Sequence, residues 1–280
     1  MDIHRKYRKY RRKYNDIQRS GANLDNNQWY NEFIQRKRNM PSKKYYISIE
    51  ANIGTGKSTL LNAFKYYNNN LLILLEPIQL WGPWLGKFYS GFDKQIYPDK
   101  NPYITAFQLK VLKSYYDILK SPENQLSHGL ITERSPSTAL EIFSQNSLDN
   151  DELDNDEYNL IKEYFDVLFK EDDLPDISIY LSVSSETVSL ERIKKRARKE
   201  EKDIPTDLIR QLHYKHEKFY KNDSTSTIIE VKPNMWTKRR FNKSNKIVYV
   251  VNADGSKMEI VNIAKKIMEN IYGTNFDELD

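Results

Sequence analysis

The chain has 280 residues, a net charge of +5 and 39% hydrophobic residues, a composition that allows one sizeable α/β core with an appendage. It contains no cysteine, so disulfides, thiolate zinc sites and cysteine nucleophiles are excluded. No apolar run approaches the roughly 18 residues of a membrane helix. We therefore expect an intracellular, cytoplasmic protein without a membrane segment, and leave a mitochondrial location open.

The first 42 residues are basic and rich in tyrosine, and we predict a disordered tail there. Residues 1–44 carry 13 Lys/Arg against 4 Asp/Glu, so the rest of the chain is mildly acidic. The tail could contact nucleic acid or another anionic surface, and a mitochondrial presequence is an alternative. We place the domain boundary near Ser42 and one folded domain over residues 43–280.

Residues 47–60 form a β-branched run that continues into a small-residue loop and then a lysine with two hydroxyl residues. This order predicts a buried strand, a phosphate-binding loop and the first turn of a helix. Backbone N–H groups in such a loop close around phosphate oxygens, and the helix N-terminus adds partial positive charge. Lys57 would reach the β and γ phosphates and Ser58 would bind Mg²⁺, while Ala51 stands where the motif usually has its first glycine. The predicted phosphate-binding residues are Ala51, Asn52, Ile53, Gly54, Thr55, Gly56, Lys57, Ser58 and Thr59.

Apolar runs alternate with helical periodicity along the rest of the chain. The predicted strands are 47–49, 71–75, 130–132, 177–183 and 247–251. The predicted helices are 59–66, 104–119, 158–169, 186–200, 208–220 and 260–271. Residues 81–102 predict a loop with a short helix at best, and residues 221–245 lack periodicity and are interpreted as an insertion loop. The alternation predicts a five-stranded parallel sheet with helices on both faces, and with the phosphate-binding loop it indicates a three-layer α/β fold of the P-loop NTPase type. The arginines of the helix predicted over 186–200 add an expected Arg-rich lid.

Charged residues follow the first three predicted strands at their carboxyl ends. The phosphate-binding loop follows the first strand, Glu76 follows the second, and Glu133 and Arg134 follow the third. Because the carboxyl ends of parallel strands line one crevice, these groups should converge on the phosphates. A phosphoryl transfer needs such a set, with cations to spread the developing charge and a carboxylate to accept a proton from the attacking hydroxyl.

Two further features could serve a nucleotide site, but each also has a purely structural interpretation. Arg192, Arg196 and Arg198 lie on the helix predicted over 186–200 and could form a mobile lid or a solvated face. Several aromatic residues could stack on a nucleobase or fill the core, and their spacing does not decide between the two. These are Trp81, Tyr97, Phe107 and Phe143.

Several short motifs together carry a resemblance to a known family. They are residues 49–58, Glu76-Pro77 with Trp81, Phe107-Gln108, Glu133-Arg134-Ser135, residues 191–201, Leu212-His213 and His216-Glu217. On these motifs the chain resembles the deoxyribonucleoside kinases, the group of insect multisubstrate deoxynucleoside kinase, mitochondrial thymidine kinase, deoxycytidine kinase and deoxyguanosine kinase. The resemblance implies transfer of the γ-phosphate of ATP or another NTP to the 5′-hydroxyl of a 2′-deoxynucleoside, with Mg²⁺, in nucleotide salvage.

The resemblance also implies catalytic roles for the matching residues. Glu76 is then the base for the 5′-hydroxyl. Arg134 positions the hydroxyl and the transferring phosphate, together with Lys57. Glu133 holds Mg²⁺, directly or through water, alongside Ser58.

For the nucleoside, the resemblance implies that Gln108 bonds the base between Phe143 and Trp81, and that Tyr97 and Glu201 hold the 3′-hydroxyl. The remaining residues expected in the base pocket are Phe107, Val111, Tyr115 and Ala139. Relatives that prefer purines or cytosine tend to carry an acidic residue at the position of Ala139. The alanine therefore predicts a preference for pyrimidines, thymidine first.

For the phosphate donor, the resemblance implies that Arg196 and Arg198 clamp the triphosphate. Residues Asn252, Ala253 and Asp254 would lie against the donor adenine. We also expect a homodimer. Two alternatives stay open, a nucleoside monophosphate kinase of the thymidylate type and a nucleic-acid-binding protein with a degenerate NTP site.

Overall fold

The computed structural model describes residues 45–67, 71–121, 124, 129–197, 201, 204–241, 244 and 246–273. They belong to a unit of the chain that begins at Lys43. The basic tail predicted over residues 1–42 and the lid residue Arg198 lie outside the described residues, so the predictions about them stay predictions.

A seven-stranded, mostly parallel sheet runs through the described part of the chain. Its strands are β1 (Tyr46–Glu50), β2 (Leu72–Leu74), β3 (Leu130–Glu133), β4 (Ile177–Ser182), β5 (Ser226–Lys232), β6 (Trp236–Phe241) and β7 (Ile247–Asn252). They lie in the order β2-β3-β1-β4-β7-β6-β5, and the first five are parallel. The predicted five-stranded parallel sheet is therefore confirmed, and two antiparallel strands extend it.

The two additional strands correct the prediction of a loop over residues 221–245. β5 and β6 form an antiparallel hairpin, and β6 pairs with β7. The hydrophobic pattern hardly indicates this hairpin, because β5 is at the edge of the sheet, where Ile228, Ile229 and Val231 are exposed. A register shift between Ile228 and Glu230 also breaks the alternation of inward and outward residues. Trp236 is the buried anchor of the hairpin, packed against Tyr249 of β7.

Helices cover both faces of the sheet. They are α1 (Lys57–Tyr67), α2 (Ile78–Trp81), α3 (Trp84–Ser90), α4 (Ile104–Leu119), α5 (Pro136–Thr138), α6 (Gln145–Asp149), α7 (Asn155–Leu168), α8 (Glu186–Arg196), α9 (Thr206–His216) and α10 (Lys257–Tyr272). Two π-helical segments, Ala139–Ser144 and Glu217–Lys221, follow α5 and α9. Helices α1 and α10 pack on one face of the sheet, and α4, α7 and α9 contribute to the apolar core on the other.

Local sequence signals explain where several of these helices begin and end. Asp154 and Glu157 form a capping box at the start of α7, and Ser256 starts α10 in the same way. Helix α8 ends at Ala197, which has a φ of 49°, so the helix predicted to run to residue 200 stops earlier. Ser135 caps α5 directly after β3, and this short connection holds the end of β3 close to the helical layer.

Candidate active site

The phosphate-binding loop connects β1 to α1. Gly54 and Gly56 have φ values of 83° and 107°, which side chains other than glycine rarely adopt. Ala51 has no positive φ, so the alanine fits the first position of the motif. Among the described residues, the backbone N–H groups from Gly54 to Ser58 have no protein acceptor. The loop therefore offers a set of free donors at a helix N-terminus, as an anion site requires.

Lys57 is buried and folds back over this loop. Its Nζ donates to the carbonyl oxygens of Asn52 at 2.9 Å and Ala51 at 3.3 Å. Burial, and to a smaller extent Arg134, lower the pKa of Lys57 to about 8, although the carboxylate of Glu133 raises it. A bound phosphate would stabilise the ammonium form of Lys57, which burial disfavours.

Glu76 and Arg134 form a buried ion pair at the carboxyl ends of β2 and β3. Their side chains are 14% and 8% exposed, and Arg134 Nη1 donates to Glu76 Oε1. Burial opposes the charge of Arg134, but Glu76 and Glu133 outweigh this and raise its pKa above the usual range. The guanidinium also lies 5.0 Å from the ring centre of Phe143. The charged groups predicted to follow β1, β2 and β3 do converge.

A cavity opens beside this ion pair. It brings together most of the residues predicted for the nucleoside: Glu76, Trp81, Phe107, Gln108, Val111, Tyr115, Arg134, Ala139, Phe143 and Glu201. We call it the nucleoside cavity. Its other lining residues are Ile53, Gly54, Lys57, Ile78, Leu85, Phe88, Tyr89, Glu133, Ser135 and Arg196.

Aromatic rings form much of the inner wall of the nucleoside cavity, and one buried amide lies among them. Trp81 meets Phe107 edge to face at 5.4 Å, and its Nε1 donates to Ser114 Oγ at 3.1 Å. Gln108 is 2% exposed and follows Phe107 on α4. Tyr115, about two helical turns after Gln108 on α4, donates its hydroxyl hydrogen to the Glu133 carbonyl at 2.9 Å. Such a wall suits a planar, polar-edged group such as a nucleobase.

The structure does not bring Tyr97 to this cavity, which corrects the sequence prediction. The Tyr97 hydroxyl pairs with that of Tyr103 at 2.7 Å. Tyr89 of α3 lines the cavity instead. Burial raises the pKa of Tyr89, and the carboxylates of Glu76 and Glu201 raise it further. Both tyrosines belong to the region predicted as a loop over residues 81–102, in which the structure has the helix α3.

The sequence prediction also left out the residues of α3 that line the cavity, because it placed them in the loop predicted over residues 81–102. Leu85, Phe88 and Tyr89 are all buried and all line the cavity. Their spacing of three and four residues is that of one helical face, and this was the available signal. The glycines and prolines around these residues favoured a loop instead of a helix.

The end of α8 carries the described part of the predicted lid. Arg196 donates to Glu201 through Nη2 and through Nε, the latter at 3.1 Å. Arg192 donates to the Thr55 carbonyl at 3.2 Å and to the Ala253 carbonyl at 3.0 Å. Arg192 therefore links the phosphate-binding loop to the turn after β7.

A second cavity lies against the phosphate-binding loop and the first turn of α1. We call it the donor cavity, and its lining residues are Gly54, Gly56, Lys57, Ser58, Thr59, Glu133, Arg192, Arg196, Gly255, Lys257 and Ile260. Gly54, Lys57, Glu133 and Arg196 line both cavities. The two cavities therefore meet at the predicted site of phosphate transfer.

The donor cavity has the oxygen ligands that Mg²⁺ prefers, although few of them. Ser58 and Glu133 both line it. Among the described residues no group of three or more His, Cys, Asp or Glu could hold a metal by itself. Mg²⁺ usually keeps several waters and binds through one or two carboxylates plus substrate phosphates. The residues present fit a Mg²⁺ ion that arrives with a nucleotide.

The turn predicted to lie against the donor adenine is only adjacent to this cavity. Asn252, Ala253 and Asp254 are not among the residues that line it, whereas Gly255 and Lys257 are. The Asp254 carboxylate is bound to the backbone N–H of Ser184, at 2.9 and 3.1 Å. In this conformation, Asp254 stabilises the turn itself.

Comparisons with known proteins agree with this geometry. The family model described as deoxynucleoside kinase matches residues 47–270. The chain is 30% identical to human mitochondrial thymidine kinase 2 over 184 residues, 65% of this chain and 67% of that protein. It is 30% identical to a probable deoxycytidine kinase of fowlpox virus over 232 residues, 81% of this chain and 86% of that protein.

A solved structure shows the same fold. Deoxyadenosine kinase from M. mycoides superposes with a TM-score of 0.62 at 22% identity, covering 82% of this chain and all of that one. Within the described ranges, no helix is both long and apolar enough to cross a membrane. With a family match that spans the sheet, the phosphate-binding loop and both cavities, the chain belongs to the deoxynucleoside kinase family.

Proposed function

We propose that this kinase transfers the γ-phosphate of ATP to the 5′-hydroxyl of a pyrimidine 2′-deoxynucleoside, thymidine first. The observation that carries the proposal is the buried Glu76–Arg134 pair, which lies in the nucleoside cavity where that cavity meets the donor cavity. A carboxylate and two cations, Arg134 and Lys57, thus lie together at the junction between the acceptor and the triphosphate.

In the proposed reaction Glu76 accepts the proton of the 5′-hydroxyl as the hydroxyl oxygen attacks the γ-phosphorus. Arg134 and Lys57 stabilise the negative charge on the transferring group, and the free N–H groups of the phosphate-binding loop hold the donor phosphates. Ser58 and Glu133 would hold Mg²⁺, which would neutralise charge on the donor phosphates. The bond to the β-phosphate oxygen breaks, and ADP leaves as the nucleoside 5′-monophosphate forms.

The nucleoside is oriented at both ends of its cavity. Gln108 is proposed to bond the base edge through its amide, with the rings of Trp81 and Phe143 on either side. We assign the 3′-hydroxyl to Tyr89 and Glu201 rather than to Tyr97, because only the first two line the cavity. Glu201 is bound to Arg196, so binding of the sugar would be coupled to the position of the lid.

Base preference is proposed to follow from Ala139 and Tyr115. Ala139 is small and uncharged, so it leaves room for a thymine methyl group and offers a purine no polar partner. Tyr115 is 2% exposed and its hydroxyl is bound to Glu133, which makes the ring a fixed wall of the base pocket. The name of human mitochondrial thymidine kinase 2 supports this direction, whereas the solved structure with the same fold, at 22% identity, is named for deoxyadenosine.

A substrate panel tests the proposed function. Phosphate transfer from ATP with Mg²⁺ is measured with thymidine, deoxycytidine, deoxyadenosine, deoxyguanosine and thymidine 5′-monophosphate. We expect the highest kcat/KM for thymidine, with deoxycytidine second. A higher value for either purine would contradict the base preference, and turnover of the monophosphate alone would favour the thymidylate-type alternative.

A homodimer, a nucleic-acid contact through residues 1–42, donor-base contacts of residues 252–254 and a cytoplasmic role in nucleotide salvage are part of the same proposal. Size measurement in solution and salt-dependent DNA binding by the full chain test the first two.

A further inference from the structure

The turn that follows β3 carries two of the proposed active-site residues in an unusual conformation. Arg134 has a φ of 60°, in the left-handed region that side chains other than glycine seldom adopt. A conformation of this kind persists only where the surroundings hold it, and it is often found where a side chain must be aimed.

Three buried hydrogen bonds hold this turn. The Arg134 N–H donates to the Ile49 carbonyl at 3.0 Å. Thr132 Oγ1 donates to the Arg134 carbonyl at 2.6 Å, and the Tyr115 hydroxyl donates to the Glu133 carbonyl at 2.9 Å. Thr132 and Tyr115 are each 2% exposed. Two side-chain hydroxyls therefore bind the two consecutive carbonyls at the strained position.

The turn places Glu133 and Arg134 in the same cavity. In a continuing strand, consecutive side chains point to opposite faces of the sheet. Here both side chains line the nucleoside cavity, and both contact Glu76. Arg134 Nη1 donates to the Glu76 carboxylate, while Glu133 Oε2 accepts from the Glu76 N–H at 3.4 Å. The position of the proposed base thus depends on the conformation of this turn.

We infer that the hydroxyls of Thr132 and Tyr115 are positioning groups for the transfer step, because they hold the left-handed turn at Arg134. This inference rests on the proposed roles of Glu76 and Arg134. Thr132 lines neither cavity. Its hydroxyl also contacts the Tyr46 hydroxyl at 3.3 Å, so its link to the active site is the shorter bond to the Arg134 carbonyl. Tyr115 lines the nucleoside cavity as well, and it connects the base pocket to the turn through one hydrogen bond.

The test measures kcat and KM for thymidine with saturating ATP, together with thermal stability, for full-length variants. Thr132→Val keeps the shape but removes the hydroxyl, and Thr132→Ser restores it. Ser48→Ala is the matched control, because Ser48 pairs with Thr132 in register on the neighbouring strand and its hydroxyl is paired with that of Ser178. Tyr115→Phe removes the second hydroxyl and keeps the ring.

We expect Thr132→Val and Tyr115→Phe each to lower kcat about tenfold, as the loss of one well-formed hydrogen bond at the turn would do. KM for thymidine should change less than about twofold, since the cavity wall is kept. Thr132→Ser and Ser48→Ala should keep the wild-type kcat.

Three results would overturn the inference: an unchanged kcat in Thr132→Val, a Thr132→Ser variant as impaired as the valine, or an equal loss in Ser48→Ala. If Thr132→Val does not fold, Tyr115→Phe decides, and an unchanged kcat there overturns it. A wild-type protein that phosphorylates no deoxynucleoside would instead contradict the proposed function. The two failures are therefore distinguishable.

Discussion

At the residue scale, the site depends on a pair of opposite charges that are both removed from water. Glu76 and Arg134 are mostly buried, and neither charge would be stable there without the other. Removing one member of a buried pair typically costs about 3–5 kcal/mol, since the remaining charge is left without compensation. A substitution of Glu76 must therefore keep a hydrogen-bond acceptor for Arg134, so that its effect on catalysis can be separated from its effect on folding.

The assignment of the 3′-hydroxyl to Tyr89 rather than Tyr97 gives a prediction at the residue scale. Tyr89→Phe should lower kcat/KM for thymidine by roughly 2- to 12-fold, the value of one net hydrogen bond, and should leave the 3′-deoxy analogue unaffected. Tyr97→Phe is the matched control and should change neither substrate, because its hydroxyl bonds Tyr103. The measurement is kcat/KM for both nucleosides on both variants. If Tyr97→Phe alone changed the ratio between the two, the sequence-based assignment would be restored.

At the element scale, the phosphate-binding loop is packed between α1 and α8. A Cβ atom on Gly54 would lie 2.6 Å from the Ser189 carbonyl oxygen and 2.9 Å from Ile193 Cγ1. Arg192 of the same helix donates to the Thr55 carbonyl. The loop and the lid helix therefore hold each other in place, so binding of the donor and the position of α8 should be linked.

This packing predicts a difference between two alanine–glycine exchanges in one loop. Gly54→Ala places a side chain at a φ of 83° and against α8, so KM for ATP should rise at least about fivefold, as about 1–2 kcal/mol of strain implies. Ala51→Gly should change KM for ATP less than about twofold, since Ala51 has no positive φ. Steady-state kinetics with ATP as the varied substrate test both. A wild-type KM and stability in Gly54→Ala would show that the loop does not need its observed conformation.

At the scale of the whole molecule, the parallel sheet could be predicted, including β2 at one edge, and the antiparallel hairpin at the other edge could not. β1, β4 and β7 are buried over most of their length and are rich in Ile, Leu, Val and Tyr. The β5–β6 hairpin has one buried anchor and an exposed edge, so the hydrophobic pattern is too weak to predict it. Glu76, Glu133 and Arg134 could be singled out because each lies at or just after the carboxyl end of a strand. Tyr89 and Thr132 were not, since their importance depends on tertiary packing.

A buried histidine whose ring lies against that of Phe143 makes the stability of the molecule depend on pH. Burial, with smaller contributions from Arg134 and Lys57, lowers the pKa of His216 to about 3, although the bond to the Leu212 carbonyl raises it. The unfolded chain binds a proton near pH 6.5 and the folded one does not, so stability falls as pH drops below 6.5 and continues to fall until about pH 3.

His216→Asn keeps a donor for the Leu212 carbonyl and removes the titration. The difference in unfolding free energy between wild type and variant should shrink by about 2 kcal/mol between pH 7 and pH 5. Urea unfolding of both proteins at several pH values measures it, and the other titrating groups cancel in the difference. A constant difference over this range would mean that His216 binds protons equally in the folded and unfolded protein, so that burial does not lower its pKa.

The central claim is that Glu76 is the base for the 5′-hydroxyl. Its most direct test is turnover against binding in Glu76→Gln, with Glu163→Gln on the exposed side of α7 as the matched control. The glutamine keeps an acceptor for Arg134 but no longer accepts the proton, so kcat with thymidine should fall roughly a hundredfold or more. The Kd for thymidine, measured by calorimetry, should stay within about threefold of wild type, and Glu163→Gln should match wild type in both quantities. A Glu76→Gln variant with near-wild-type kcat, or one that loses binding as severely as turnover, would contradict the account.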